Sequence, residues 1–253
     1  MKEKNPINVY WAPVVVNELD NSDWSFLYPK PEQLFSSLVK KRVSGSGNNN
    51  FFSCPAVANK FKKTLVFDFP VESKYSYNFS DNKNMIALEK QNSIGVINTR
   101  DAAISDGPCI TFNLGYMLFA DESLDTVFTP PYFHKPQYTN YGTAIPGAFN
   151  IGKWFRSYNL EMQMWSSSGE FTINENEPIF YVEFNTDRPI ALKRFSLNHK
   201  LLNYANACVE TTNMFGRGRS LLQRYEMFNR VGLREKILTE INKNIIDEDP
   251  LTI

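Results

Sequence analysis

The amino-acid sequence predicts a mainly β fold of the α+β class. The expected core is an antiparallel β-sandwich or jelly-roll-like domain over residues 5–196, with short helices near 31–41 and 54–63, followed by a helical C-terminal region over 197–246. Three observations carry this. Apolar and polar residues alternate with a period of two through much of 158–195, the side-chain period of a half-buried strand. Aromatic residues make up 14% of the 253 residues, led by Phe (20) and Tyr (12), and such residues favour strands. After Ser196 the apolar spacing changes to three and four, which is the period of a helix.

Along the chain, 7–16 is a first strand rich in Val, Tyr and Trp, and Pro13 inside it points to an edge strand or a bulge. Residues 22–28 form a short extended piece. Pro31 opens a helix over 31–41 with Leu34, Phe35 and Leu38 on one face. Ser44-Gly45-Ser46-Gly47-Asn48-Asn49-Asn50 is a loop by composition. Strands follow at 64–70, 74–79, 85–89, 93–98 and 109–120, separated by turn signals such as Ser105-Asp106-Gly107-Pro108. Residues 129–152 hold four prolines and three glycines among many aromatics, so they form a long ordered loop with no long regular element. The segments 158–165, 171–174, 178–184 and 189–195 are separated by Ser166-Ser167-Ser168-Gly169 and Asn185-Thr186-Asp187-Arg188. They read as consecutive antiparallel hairpins. Helical spacing then appears at Leu201, Leu202, Ala205 and Val209. It recurs at Leu221, Leu222, Tyr225 and Phe228 behind a Ser220 cap, and again at Ile237, Leu238 and Ile241. Asp247-Glu248-Asp249-Pro250 is a solvated tail.

Composition narrows the function. Lys+Arg and Asp+Glu both total 27, a balance that argues against general nucleic-acid binding. Cys54, Cys109 and Cys208 are odd in number and far apart, which suits a reducing compartment rather than a disulfide framework. The N-terminus has no apolar signal core and no apolar run nears the ~20 residues of a membrane span, so neither secretion nor a membrane is expected.

Candidate chemistry is sparse. The two histidines, His134 and His199, have no metal-ligand spacing, so no metal is expected and His134 is the residue one would need. Cys54 precedes a short helix, whose N-terminus can activate a thiol, but a buried packing role is the plainer reading. Gly216-Arg217-Gly218-Arg219-Ser220 places Arg217 and Arg219 before a helix as an anion-site candidate, weighed against a solvated linker. In Gly152-Lys153-Trp154-Phe155-Arg156, two cations flank two aromatics, a mix that can stack on and charge-pair with a nucleotide. Tyr132 and Tyr138 lie in the adjoining loop. Glu161 and Glu183 fall on neighbouring strand candidates, with Arg188 and Lys193 as the expected neutralising neighbours.

Several of these stretches resemble proteins of known groups. Asp23-Trp24-Ser25-Phe26-Leu27-Tyr28-Pro29, Pro31-Glu32-Gln33-Leu34-Phe35, Phe52-Ser53-Cys54-Pro55-Ala56, Gly152-Lys153-Trp154-Phe155-Arg156 and Glu177-Pro178-Ile179-Phe180-Tyr181-Val182-Glu183-Phe184 are similar to uncharacterised proteins of tailed bacteriophages, those of marine cyanobacteria in particular. Ile145-Pro146-Gly147 with the strands at 160–165 and 177–184 resembles the late part of dUTPase and dCTP-deaminase-like jelly rolls, without that family's Arg-Ser-Ser motif. The first resemblance implies a phage context and supplies no catalytic residues. With no catalytic motif, a balanced charge and the aromatic-rich loop at 129–156, the expectation is a phage-encoded, non-catalytic binding or assembly protein, in the virion or the host cytoplasm, with a phage or host protein as partner. The alternative is a nucleotide-like small-molecule binding protein or enzyme on a jelly-roll core. It would use Lys153, Trp154, Arg156, Tyr132 and Tyr138, with Arg217 and Arg219 as a second anion site. A metal-dependent oxygenase, built on His134, is disfavoured, and no cofactor is implied.

Overall fold

The structure is a computed structural model that describes residues 5–14, 25–40, 51–79, 85–88, 96–100, 107–210, 232–246 and 251–253. It is mainly β, as the sequence predicts. The longest strand, β7 (Cys109–Ala120), organises one sheet. On one side it pairs antiparallel with β11 (Ser157–Met164), which pairs in turn with β9 (Gly142–Ala144). On the other side its first half pairs with β6 (Val96–Arg100) and its second half with β1 (Ile7–Pro13). Beyond β1 come β14 (Ile190–Arg194), parallel to it, and β15 (Leu251–Thr252), so the end of the chain closes the sheet's far edge.

A second sheet runs β10 (Gly147–Asn150), β8 (Asp125–Thr129), β13 (Pro178–Phe184), β3 (Thr64–Asp68), β2 (Glu32–Gln33), all antiparallel. A third, smaller sheet joins β12 (Ser168–Ile173), β4 (Ser73–Asn78) and β5 (Met85–Leu88).

The sheets pack face to face. Val9, Trp11, Phe112, Tyr116, Leu118, Leu160 and Met162 of the first meet Leu65, Phe67, Phe180, Val182 and Phe184 of the second. Tyr75 and Phe171 of the third complete the same core, Tyr75 lying edge-on to Phe112 at 4.9 Å. Each such side chain contributes about 1.5–3 kcal/mol on burial. Phe67 stacks on Phe180 at 4.9 Å, and the Tyr116 ring meets Phe67 edge-on at 5.1 Å. The Tyr116 hydroxyl crosses the sandwich to donate to the Asp68 carbonyl at 2.9 Å, which satisfies an otherwise costly buried polar group.

Helices cover both outer faces. Helix α1 (Leu34–Lys40) and α2 (Pro55–Lys62) bring Leu34 and Phe61 onto Val66 and Tyr181. On the opposite side α3 (His199–Glu210) and α4 (Leu233–Lys243) set Leu201, Ala205, Cys208, Ile237 and Ile241 against Tyr10, Met117, Phe119, Phe155 and Phe195. Burial pushes the Cys208 thiol up to about 12, so it packs as an uncharged group at neutral pH. Glu240 ties α4 to the start of α3: its carboxylate receives Lys200 Nζ at 2.7 Å and Asn198 Nδ2 at 3.0 Å.

Four expectations are corrected. The segments 158–195 form strands, but no two consecutive strands among β11–β14 pair with each other. The chain steps from the first sheet to the third, the second and back. Period-two alternation reports which face of a strand is buried, and a sandwich supplies buried faces on more than one sheet. Nor is the first strand at an edge: β1 lies between β14 and β7, and Pro13 is tolerated because β14 ends opposite Trp11, leaving no ladder acceptor for the missing N–H. The region 22–28 contains a 3-10 turn at Ser25–Leu27. The helix read from Pro31 starts at Leu34, because Glu32 and Gln33 pair with β3 instead. The Ser220-capped helix and the tail at 247–250 lie outside the described residues. No helix among the described residues is long and apolar enough to cross a membrane.

Two outcomes are expected. Gly115 sits in a bulge of β7 at φ 67°, and an added Cβ would lie 2.8 Å from Tyr28 Oη and 3.0 Å from the Val14 carbonyl. Gly115→Ala therefore destabilises the fold by about 1–3 kcal/mol in urea titration; an unchanged midpoint would contradict the bulge. The Lys200 bond, then Asn198, hold the Glu240 carboxyl below its ordinary range. A depressed folded value means stability that is present above the ordinary carboxylate range and lost as pH falls through and below it. Glu240→Gln should flatten the acid limb of the stability–pH curve while leaving its shape above neutrality unchanged.

Candidate functional site

Where the chain crosses between the two large sheets, a cleft of about 310 Å³ opens, at the lower end of the size of ligand pockets. Its origin is local. β9 pairs with β11 only as far as Ala144, and Ile145 donates a last bond to the Glu161 carbonyl at 2.7 Å. Pro146 has no N–H to continue the ladder, and the chain leaves for the second sheet, where Gly147–Asn150 pairs with β8. Between the departing chain and β11 lies the cleft.

Its floor is aromatic. Phe128 of β8 stacks with Phe149 of β10 at 4.7 Å and with Tyr158 of β11 at 4.8 Å, and Phe180 lies 5.5 Å from Phe128. At one end Trp154 and Arg156 join the lining, the guanidinium carbon 5.5 Å from the Trp154 ring centroid. Arg156 Nε makes one long bond, 3.4 Å, to the Ser157 carbonyl. No carboxylate pairs with Arg156 among the described residues. Glu161 lines the other end.

The structure divides the sequence-predicted residues. Trp154 and Arg156 enter the cleft together, whereas Lys153 is half-buried on the preceding turn and outside its lining. Tyr138 is wholly buried, its hydroxyl donating to the carbonyls of Pro178 at 2.9 Å and Ile179 at 3.1 Å, so it anchors the loop and is removed from the ligand set. Tyr132 is half-exposed on the helix-covered side, edge-on to Tyr181 at 5.0 Å. Arg217 and Arg219 lie outside the described residues. Glu161 and Glu183 stand on different sheets: Glu183 pairs with Lys60 at 2.9 Å, and Arg188 with Glu122 at 2.5 Å. Cys54 caps α2 and is exposed rather than buried. Phe128, Phe149 and Phe180 are cleft residues that the sequence does not mark as such, although Phe149 falls in the aromatic loop at 129–152 and Phe180 in the strand at 178–184.

His134 carries an unforeseen arrangement. Its Nε2 is 3.2 Å from Ser37 Oγ and its Nδ1 is 2.5 Å from Tyr181 Oη, the order of a nucleophile, a base and an orienting group. The hydrogen-bond network favours one tautomer. Burial keeps the Tyr181 phenol protonated, opposed in part by the backbone N–H groups of Phe133 and His134 that donate to its oxygen. Its own proton then goes to Nδ1. A neutral imidazole accepting at Nδ1 carries its proton on Nε2 and donates to Ser37. In that tautomer the serine faces a donor rather than a base. Among the described residues no three His, Cys, Asp or Glu side chains are grouped to hold a metal.

No protein-family model matches the chain, and no curated protein matches it. The cleft and the Ser37–His134–Tyr181 chain must therefore be read from their own geometry. Nitrogen-resolved NMR at neutral pH should find His134 as the Nε2–H tautomer; an Nδ1–H tautomer would restore Ser37 as a nucleophile. Tyr181→Phe should cost about 1–3 kcal/mol, because it strands buried donors, and Ser37→Ala less.

Proposed function

We propose that this protein is a non-catalytic recognition module that takes an anionic, partly apolar ligand in the cleft between β10 and β11. The observation that carries the reading is Arg156. A half-buried guanidinium with no carboxylate partner among the described residues, laid over Trp154 beside an aromatic floor, is matched by an anion attached to a flat or branched apolar group. A nucleotide-like ligand belongs to this class, and so does a carboxylate-bearing segment of a protein. The resemblance to tailed-phage proteins supports a phage or host origin for that partner, met in the host cytoplasm or the virion. The serine that faces a donor at His134 supports binding rather than turnover.

The test is a thermal-shift and calorimetric panel of arylcarboxylates and nucleoside monophosphates against the native protein and Arg156→Gln. A binding member at about 100 times its dissociation constant adds roughly 2.7 kcal/mol of stability. Losing a charged hydrogen bond in Arg156→Gln should weaken binding by about 1.5–3 kcal/mol, roughly ten- to a hundredfold. The reading falls if no member of the panel raises the melting temperature, or if the variant binds as tightly as the native protein.

A further inference from the structure

Resting on that reading, we infer that the ligand class is the free C-terminus of an extended peptide, which adds as an antiparallel strand to the open edge of β11 with its carboxylate on Arg156. The argument begins with the backbone. β7 covers one edge of β11 along its length, from Ser157 opposite Met117 to Gln163 opposite Cys109. β9 covers the other edge only at 162–164, with the one further bond from Ile145 to Glu161. No described strand pairs with that edge over 157–160. The register shift beside Tyr158 and Leu160 lies in β7, where the three residues 113–115 stand opposite Asn159 alone, so β11 keeps its alternation through Asn159. The peptide groups of Ser157 and Asn159 therefore point into the lane that β9 vacates.

The cleft lining agrees. It includes five consecutive residues of β11, 157–161, and consecutive residues of a strand can share a cavity only when the cavity looks onto the edge. The lane is about four residues long, roughly 13 Å at 3.3 Å per residue, which suits a short terminal segment.

Direction and charge follow. β9 is antiparallel to β11, and a strand continuing in its sense travels toward the start of β11, where Arg156 stands. The carboxylate end of such a strand arrives at the guanidinium, whose remaining donors can hold it in the bidentate manner. Glu161 at the opposite end disfavours an acidic residue upstream, so the lane has a cation where the terminus ends and an anion where the chain enters. Alternate side chains face Phe128, Phe149 and Tyr158, which calls for an apolar final residue. Strand addition of this kind draws affinity from main-chain hydrogen bonds and selectivity from pockets for alternate side chains.

The experiment uses the full chain and a library of pentapeptides in which the last residue varies, each made as free acid and as C-terminal amide. Calorimetry is expected to show binding of free acids ending in Leu, Val or Phe, at least tenfold weaker binding of those ending in Gly, and at least tenfold loss on amidation. N-methylation of the backbone nitrogens that face β11 should abolish binding, and Arg156→Gln should weaken the acids while leaving the amides unchanged. Equal binding of acid and amide overturns the proposal in the native protein, without recourse to any variant. Arg156-dependent binding of arylcarboxylates with no binding by any peptide also overturns it, and leaves the anion-binding reading standing. If neither class binds, both fall.

Discussion

β7 must satisfy two cores at once, and most of the architecture follows from that requirement. Its residues Ile110, Phe112, Leu114, Tyr116 and Leu118 face the sandwich, while Met117 and Phe119 face α3 and α4. A strand buried on both faces has no polar side to spare, and along it only Asn113 is exposed. That residue marks the bulge. There Tyr116 pairs with Tyr158 but Phe112 with Leu160, and Gly115 takes the left-handed conformation that a side chain would resist. The bulge lets one strand serve β6 and β1 in succession on the same side, because it bends β7 between its two halves. Tyr28 pins the bend, donating to the Leu114 carbonyl at 2.8 Å and lying edge-on to Tyr116 at 4.9 Å.

The cleft follows from how the chain crosses between sheets. A sandwich whose successive strands alternate between sheets has many crossing segments, and each crossing strips hydrogen bonds from the strand that it leaves. At the crossing that follows β10 the gap closes with local polar groups: the Asn150 side-chain oxygen accepts from the backbone N–H groups of Leu124 and Gly152. At Ile145–Pro146 the crossing happens in the middle of β11, with Leu160 and Tyr158 still to come. The strand edge stays open because the departing segment is held away from it by β8, through Gly147 opposite Phe128.

The amino-acid pattern made the strands legible because each one reports its own burial. β7 and β13 occupy the ranges expected of them, and the helices at 199–210 and 233–243 follow from apolar spacing against a single sheet face. Strand pairing was not legible. Phe171, Phe180 and Leu192 are alternating apolar residues of the same kind, yet they belong to three sheets, and nothing within 171–192 distinguishes a hairpin from a crossing. The candidate site was half legible for a related reason. Trp154 and Arg156 are close in sequence and unusual in type, so they drew notice. Phe128, Phe149 and Phe180 are distant in sequence and ordinary in type, and only the pairing of β8 with both β10 and β13 brings them together.

Polar groups in this molecule separate by whether their bonding is complete. The Ser37–His134–Tyr181 chain looks catalytic by its order of residues, but the phenol oxygen already accepts from the Phe133 backbone N–H, which favours donation of the phenol proton to the imidazole. A closed network of that kind fixes its surroundings: here it fastens the loop at 131–135 to α1 and roofs the buried strand β13. Arg156 is the reverse case. Its planar fork has five donors, and among the described residues one of them is committed, to a 3.4 Å contact. Buried donors left open are costly in a group that serves only the fold, whereas a half-buried donor at the mouth of an aromatic cleft keeps its hydration until a partner displaces it. On the proposed reading, recognition gathers at the end of β11, where backbone and side-chain donors have few partners among the described residues, while His134 anchors its loop through Ser37 and Tyr181.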